Sequence, residues 1–333
     1  MKFPSPYVFW LTGLLLLVMS GILSLCLGTV WLTPSELGRA LLDRNSLLGM
    51  VVLELRLPRT ILALAVGAGL GLTGAALQGY TRNPLADSGL LGINAGAALG
   101  AVLIFYTGFT SPTRLLFGVP LGGLMGAGTA TILILLLTMR VRSIQTLILA
   151  GVAVSALCGA LTSLVLNLSP NPFAAQEIIF WLLGSVADRG WNELILALPL
   201  MLCGAGLLLW TGPKLRVLSL GEDTAATLGV SLNHLRFTLI IGTALVIGPS
   251  TAVTGAIGFI GLVVPHLLRP LVRHDPATLL PASAVGGALL LIWADITIRL
   301  LPLEQELKLG VITALLGAPF FFLLIFRLRR WYP

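Results

Sequence analysis

The charges of this chain sit in the gaps between ten apolar runs, and no other feature constrains the fold as tightly. The runs are Tyr7–Leu27, Thr60–Tyr80, Leu90–Tyr106, Leu115–Thr138, Leu147–Leu168, Leu194–Thr211, Phe237–Ile257, Phe259–Val272, Leu279–Ile298 and Val311–Phe326. A helix needs about 20 apolar residues to cross a bilayer. Only 10% of the 333 residues are charged and 57% are hydrophobic, whereas a soluble domain carries about 25% charged residues. With a mean hydropathy of +1.01, the solvent for most of the surface must be lipid. The pattern predicts an all-α polytopic membrane protein of about ten transmembrane helices, with residues 1–333 forming a single domain. The segment Ala174–Leu183 is apolar but too short to span, and is expected at an interface or packed on the protein.

Runs seven and eight could instead form one long helix, and charge sidedness separates the two cases. With ten spans and the N-terminus inside, the inner face holds 12 of the 20 basic residues and four acids. The outer face then holds 8 basic and 9 acidic residues. Merging the two runs reduces the inner basic count to 9 and erases the bias. Ten spans with both termini cytoplasmic, in the cytoplasmic (inner) membrane, is the better reading. Gly255–Gly258 then makes a tight extracytoplasmic turn. The eighth run is short, Pro265, His266 and Arg269 interrupt it, and its N-terminal half reads as a broken helix. LTGAALQG (72–79) and VTGAIGFIG (253–261) are weakly alike and would lie in helices of opposite direction, as in an inverted repeat.

Several features exclude functions or leave two readings open. Tyr7–Leu27 exceeds a usual signal-peptide core, lacks an A-x-A site after it, and reads as the first span. The net charge of +7 is scattered at the ends of apolar runs and forms no stripe, which argues against nucleic acid. Cys26, Cys158 and Cys203 lie inside apolar runs and form no C-x-x-C, as expected of small buried hydrophobes. His266 has no His, Cys or carboxylate cluster around it, so no metal site is expected. In RNPLADSGLLG (82–92), Pro84 cannot continue a helix, and Asp87 or Ser88 can cap the next one. Arg56 and Arg59 fall at the outer end of the second span, against both the positive-inside bias and the helix dipole. Either an anionic partner meets them or they snorkel to lipid phosphates. Arg299 can pair with Asp295 one turn earlier. SLGEDTAATLGV (219–230) lies in the longest inner connection, about residues 212–236, where Gly221 and Gly229 bracket a short helix expected to expose Ala225 and Ala226. That helix is either an ordinary loop helix or one that seats in a groove of another protein. Gln78, Asn94, Ser155, Thr162 and Asn167 are polar groups within spans, which line a pathway or bond across helices.

RNPLADSGLLGINAGAALGA (82–101) closely resembles a signature of the FecCD/BtuC-type family, the membrane permease subunits of ABC importers for iron–siderophore complexes, haem and cobalamin. The likeness continues in order through LRLPRT (55–60), LILAGVAVSA (147–156), FWLLGSVADRGW (180–191), SLGEDTAATLGV (219–230), GAIGFIGLVVPHLLR (255–269), LLPASAVGGALLLIWADITIR (279–299) and GVITALLGAPFFFLL (310–324). The resemblance implies a BtuC-like permease fold that pairs with a second copy or homologue, a cytoplasmic ABC ATPase dimer and a periplasmic substrate-binding protein. It implies that Arg56, Arg59 and Arg299 meet acidic residues of the binding protein. It makes 219–230 the coupling helix gripped by the ATPase, with Gly221, Glu222, Ala225, Ala226, Leu228 and Gly229 at the contact. It places a cytoplasmic gate at Ser143, Ile144, Gln145 and Thr146, although Ile144 and Gln145 depart from the small hydroxylic residues expected there. Lys308 stands where the family usually has proline, and can pair with Glu304. The fifth and tenth spans would line the pathway.

The chain contains no G-x-x-x-x-G-K-[ST] loop, so it is expected to be no enzyme and to bind no cofactor itself, with ATP held by the partner. The cargo expected from the resemblance is an iron chelate. A ferric siderophore is favoured because that class dominates the family, and haem or cobalamin are the alternatives. An ion-coupled secondary transporter is the rival class, and the absence of mid-span charges counts against it. An intramembrane enzyme would need motifs such as G-x-S-x-G or H-E-x-x-H, which are absent.

Overall fold

The computed structural model describes residues 6–28, 30–108, 118–139, 143–169, 172–303 and 306–329, and every regular element among them is helical. Helix α1 (Pro6–Cys26) leads to two short helices, α2 (Pro34–Leu42) and α3 (Leu47–Met50). A π-helical turn, Val51–Arg56, then runs straight into α4 (Leu57–Thr81). A 3-10 turn, Ser88–Leu91, precedes α5 (Ile93–Gly108). Next come α6 (Val119–Thr138), α7 (Ile144–Asn167), α8 (Pro172–Leu182) and α9 (Trp191–Trp210). Two short helices, α10 (Gly212–Leu218) and α11 (Glu222–Thr227), lead to α12 (Leu232–Thr254), α13 (Ile260–Leu268), α14 (Pro276–Leu300) and α15 (Leu309–Arg329).

Seven helical segments are long and apolar enough to cross a membrane: α1, the α3–α4 unit, α6, α7, the α9–α10 unit, α12 and α14. The other three predicted crossings fall on α5, α15 and the nine-residue α13. Helix α4 is the centre of the bundle. It is 78% buried over its span window, against 11% for the peripheral α1. Lipid supplies no hydrophobic drive between helices, so close backbone approach must hold the centre together. A Cβ on Gly71 would strike the Ser283 carbonyl, and Cβ atoms on Gly67 or Gly287 would each strike the other's carbonyl. These contacts let α4 lie directly on α14. The peripheral α1 is fastened by polar bonds instead. Ser24 Oγ and Thr60 Oγ1 are 2.8 Å apart, and Trp293 Nε1 donates to Ser20 Oγ at 3.0 Å.

The short segment read between the fifth and sixth spans is α8. It packs on the protein, with Ile178 and Trp181 buried against Ala101, Val102 and Phe105 of α5. Two cysteines are buried as expected, but Cys203 is exposed because it lies on the outer face of α9.

Runs seven and eight are separate helices, α12 and α13. Between them Gly255–Phe259 is non-helical, and its course is longer than a tight turn. Gly255 meets the backbone of Trp181 and Gly184, while Phe259 lies on Gly317, a little over two turns into α15. The non-helical segment is buried or half-buried throughout, the condition under which irregular backbone is tolerated at membrane depth. Pro265 cannot donate to the Gly261 carbonyl four residues before it. Gln78 Nε2 donates there at 3.3 Å and reaches the Leu262 carbonyl at 3.4 Å, which repairs the helix from outside. Gln78 thus acts across helices. The two look-alike stretches also meet, since a Cβ on Gly74 would fall on the backbone of Gly261.

The RNPLADSGLLG loop ends α4 at Arg82, which takes a left-handed conformation (φ 52°). Asn83 Oδ1 then accepts the Leu85 N–H at 2.9 Å. The expected cap is displaced. Asp87 precedes the 3-10 turn, and α5 starts only at Ile93, after Gly92 at φ 72°. The cause is packing: a Cβ on Gly92 would press on Gly151 and Ser155 of α7, so the loop seats against that helix before α5 begins.

Candidate functional site

Arg56, Arg59 and Arg299, widely spaced in the chain, come together at one end of the bundle and line one cavity of about 580 Å³. Arg56 ends the π-helical turn and is buried. Its Nη1 donates to the Leu25 and Cys26 carbonyls (2.8 and 3.1 Å) and its Nη2 to that of Val30 at 2.6 Å. It therefore binds carbonyls at the C-terminus of α1, of which that of Cys26 also accepts the Leu32 N–H, and a cation there complements the helix dipole. Gly28 makes room, since a Cβ there would lie 2.8 Å from Arg56 Nη2.

Asp295 is fully buried and bridges the other two arginines. Arg59 Nη2 and Arg299 Nη2 each approach it to 2.8 Å, from opposite carboxylate oxygens. Arg59 also pairs with the half-exposed Glu306 at 3.0 Å. Arg299 further donates to the Ser24 and Leu27 carbonyls (2.9 and 3.1 Å) and to Ser24 Oγ (2.6 Å). Arg59 and Arg299 thus meet carboxylates within the chain, whereas Arg56 is held by backbone carbonyls alone. The i, i+4 pairing of Arg299 with Asp295 is formed. Glu306 and the bridging by Asp295 were missed in the sequence, because 236 residues separate Arg59 from Asp295.

Sequence reasoning also missed a fourth arginine in this cavity. Arg189 follows Asp188 in the connection between α8 and α9, inside the FWLLGSVADRGW block. Burial lowers its pKa from the usual arginine value, with Glu193, Asp188 and Glu177 opposing that shift. Its Nε–H is buried with no hydrogen-bond partner, and none of the ion pairs among the described residues includes it.

The second site lies at the other end of α4, about 35 Å from Arg59 at 1.5 Å per residue. Here α11 is bracketed, as expected, by Gly221 (φ 112°) and Gly229 (φ 82°). Ala226 and Leu228 are exposed, but Ala225 is fully buried, contrary to the expected exposure. A six-residue helix held against the bundle must bury one face, and Ala225 lies on that face within the main core. Glu222 pairs with Arg82 at 2.9 Å, which ties α11 to the RNPLADSGLLG loop. A small cavity of about 270 Å³ beside α11 is lined by Tyr80, Ile144, Glu222, Ala226 and Arg236, among others. Ile144 is the first residue of α7. Ser143 caps that helix, accepting the Thr146 N–H at 3.1 Å, and the two hydroxyls lie 2.9 Å apart. Gln145 is exposed. The expected Lys308–Glu304 pair falls on Glu304, outside the described residues.

Of the polar groups within spans, Asn94 Oδ1 accepts from Thr251 Oγ1 at 2.8 Å, and Gln78 Oε1 accepts from Arg269 Nη2 at 2.6 Å. Both bond across helices. Helix α7 buries Leu147, Ala150, Gly151, Val154 and Cys158 and leaves much of its remaining surface uncovered.

The family model of the FecCD transport family matches residues 15–327. The chain is 39% identical over 314 residues to the hemin transport system permease protein HmuU of Yersinia pestis, covering 93% of this chain and 90% of that protein. It is 38% identical over 325 residues to the vitamin B12 import system permease protein BtuC of Salmonella newport, covering 96% of each. Its fold superposes on a solved metal-chelate type ABC transporter in an inward-facing conformation, with a TM-score of 0.86 and 33% identity. That match covers 97% of this chain and all of the other.

Proposed function

The chain belongs to the FecCD transport family and is a polytopic ABC importer permease; from that premise we propose how it works and what it carries. Two copies, or this chain and a homologue, enclose a pathway in the inner membrane, with both termini in the cytoplasm. An ABC ATPase dimer binds the α11 end, and a periplasmic substrate-binding protein docks at the arginine-lined end. The chain performs no chemistry and binds no cofactor; ATP is held and hydrolysed by the partner.

The observation that carries this reading is the arrangement of two sites at the ends of one central helix. The α11 segment exposes Ala226 and Leu228 and is tied by Glu222 to Arg82 at the end of α4. The start of the same helix carries Arg59, in the cavity with Arg56 and Arg299. In this reading Gly221 and Gly229 set the ends of the coupling helix, and Ala225 anchors it to the core. Glu222 passes its displacement to α4. The cavity that places Ala226 beside Ile144 brings the coupling segment to the Ser143–Thr146 turn, the proposed gate. The uncovered face of α7 supports a role in lining the pathway together with α15.

The relatives' printed cargoes, hemin and vitamin B12, and the metal-chelate type of the solved transporter support a metal chelate as cargo. We favour a ferric siderophore; haem and cobalamin are the alternatives. The test is accumulation in liposomes containing the permease and its ATPase, with the binding protein outside and ATP inside. Iron-labelled siderophore, haem and cobalamin are compared side by side. ATP-dependent accumulation of the siderophore supports the proposal. Preference for haem or cobalamin overturns the choice of cargo, and accumulation by the permease without ATPase overturns the mechanism.

A further inference from the structure

Helix α15 is held to the bundle along one narrow stripe. Among its described residues only Leu309, Thr313 and Gly317 are buried, and every fourth residue of a helix falls on the same face. The grip is firm at the extracytoplasmic end. Gly310 N–H donates to the Gly184 carbonyl at 3.3 Å. A Cβ on Gly310 would strike the Leu183 carbonyl and lie 2.8 Å from that of Ala256. That backbone is itself fixed, since Ser185 N–H donates to the Thr254 carbonyl at 2.7 Å. The stripe ends at Gly317, where the Phe259 side chain occupies the place a Cβ would take.

Just past that point the helix is weak. Pro319 has no N–H for the Leu315 carbonyl, and its ring crowds that carbonyl. Phe320 then meets His266 edge-on, with ring centroids 5.7 Å apart. Space flanks the helix on both sides. A groove of about 610 Å³ towards α14 is lined by Trp293, Leu315 and Leu316, among others, and one of about 570 Å³ towards α8 by Leu182, Pro319 and Phe322. Phe259 is held in turn. Its φ of 68° is a conformation that bulky residues rarely adopt, and such backbone persists only where its surroundings enforce it. It sits at the start of α13, which is seated on α4 through Gly261 on Gly74 and through Gln78. A displacement of α4 therefore carries Phe259 with it.

We infer that α15 is jointed at Gly317–Pro319 with Phe259 as the fulcrum, so that its cytoplasmic half swings during the transport cycle while its extracytoplasmic half stays on the bundle. Missing helix bonds at proline, next to glycine, are where helices bend, and hinges are formed by a few such residues. Phe259 is thus a positioning residue: it turns movement of α4 into opening and closing at the cytoplasmic end of α15. The inference rests on the reading that α15 lines the pathway, and the experiment separates the two.

The permease–ATPase complex, with one labelled copy of this chain, is placed in nanodiscs and compared without nucleotide and trapped with ATP and vanadate. Spin labels on Leu316→Cys or Phe326→Cys, both exposed positions, are each measured against the native, exposed Cys203 of α9, with the buried Cys26 and Cys158 changed to alanine. The label at 326 is expected to shift by several ångströms and the one at 316 by less than an ångström. Pro319→Ala restores the bond to Leu315 and Phe259→Ala removes the fulcrum. Each should abolish the shift at 326 while ATP hydrolysis continues, and Pro319→Ala should not lower the unfolding midpoint. Phe259→Tyr should keep the shift. Equal shifts at both positions, no shift at either, or a shift at 326 that survives in Pro319→Ala or Phe259→Ala overturns the joint. Pathway lining is read independently, from the reaction of Ala314→Cys, on the groove towards α8, with a membrane-impermeant cationic thiol reagent. Reaction in either nucleotide state upholds that reading even when the joint fails. No reaction in both states ends the reading and the inference with it.

Discussion

Replacing Asp295 isolates the interaction on which the arginine cluster depends. Its carboxylate is fully buried, and both oxygens are used. Oδ1 accepts from Arg59 Nε and Nη2 at 3.0 and 2.8 Å, and Oδ2 faces Arg299 Nη2 at 2.8 Å. The side chains of Arg59 and Arg299 are only 14% and 6% exposed, so water cannot take the place of the carboxylate. Removing one member of a buried ion pair costs about 3–5 kcal/mol, chiefly because a charge is left without compensation. Here two cations are left facing each other. Glu306 still neutralises Arg59 from the solvent side and Arg299 keeps its carbonyl acceptors, which place Asp295→Asn near the lower figure, about 3 kcal/mol. That is roughly a 150-fold shift in the folding equilibrium. Glu306→Gln removes a half-exposed partner and should cost no more than about 1 kcal/mol. Changing Asp295 to leucine together with Arg299 to methionine removes opposite charges at once and should recover much of the loss. The assay is denaturant unfolding in detergent micelles, followed by tryptophan fluorescence. If Asp295→Asn proves no more destabilising than Glu306→Gln, the bridge is not what organises this end of the molecule.

Further consequences can be checked in the same preparation. Gly71→Val drives a side chain into the Ser283 carbonyl and should destabilise by about 1–3 kcal/mol or more, whereas Gly206→Ala, which meets nothing within 4 Å, should stay within about 1 kcal/mol of wild type; equal stability of the two variants would refute the tight α4–α14 seam. Arg216 grips Asp275 with two 2.6 Å hydrogen bonds, and these, with Thr278, hold its pKa down at about 2. The native carboxyl therefore protonates at lower pH than the unfolded one, so the pair's stabilisation is full above about pH 4–5 and is lost as the pH falls toward 2. Arg216→Gln should flatten the melting temperature in that window, and parallel pH profiles for variant and wild type would contradict the assignment. Arg82→Glu should reduce ATP-driven uptake with little loss of stability, and adding Glu222→Arg should restore it; failure of the double reversal to rescue would show that the pair does not transmit α11 movement.

How much of this was legible in the sequence follows from the range of the forces involved. The order of the helices, the Pro84 break and the glycine bracket of α11 are local, and each was readable from neighbouring residues. Helix α2 was also signalled locally, by the Thr33–Glu36 capping box that the structure forms. Its apolar residues Leu37 and Ala40 join Cys26 and Val52 in a small cluster. Hydropathy does not reveal it, because a nine-residue helix with few apolar residues makes no long apolar run. Ala225 was misjudged for a different reason. A small residue between two glycines looks the same whether its helix stands free or is pressed onto the core.

Hydrocarbon cannot hydrogen-bond a peptide group, so a chain with ten apolar runs had to become a helical bundle, and its ordered blocks of residues carried the family with it. Those properties are written in the sequence because they depend only on neighbours along the chain and on the surrounding solvent. The partner of each charge is not written there. Arg59 meets Asp295, Gln78 repairs the helix at Pro265, and Arg189 is left with an empty donor, because α4, α13, α14 and the connection before α9 meet at particular depths. Electrostatic and hydrogen-bond energies fall away within a few ångströms, and only the packed tertiary structure fixes which groups come that close.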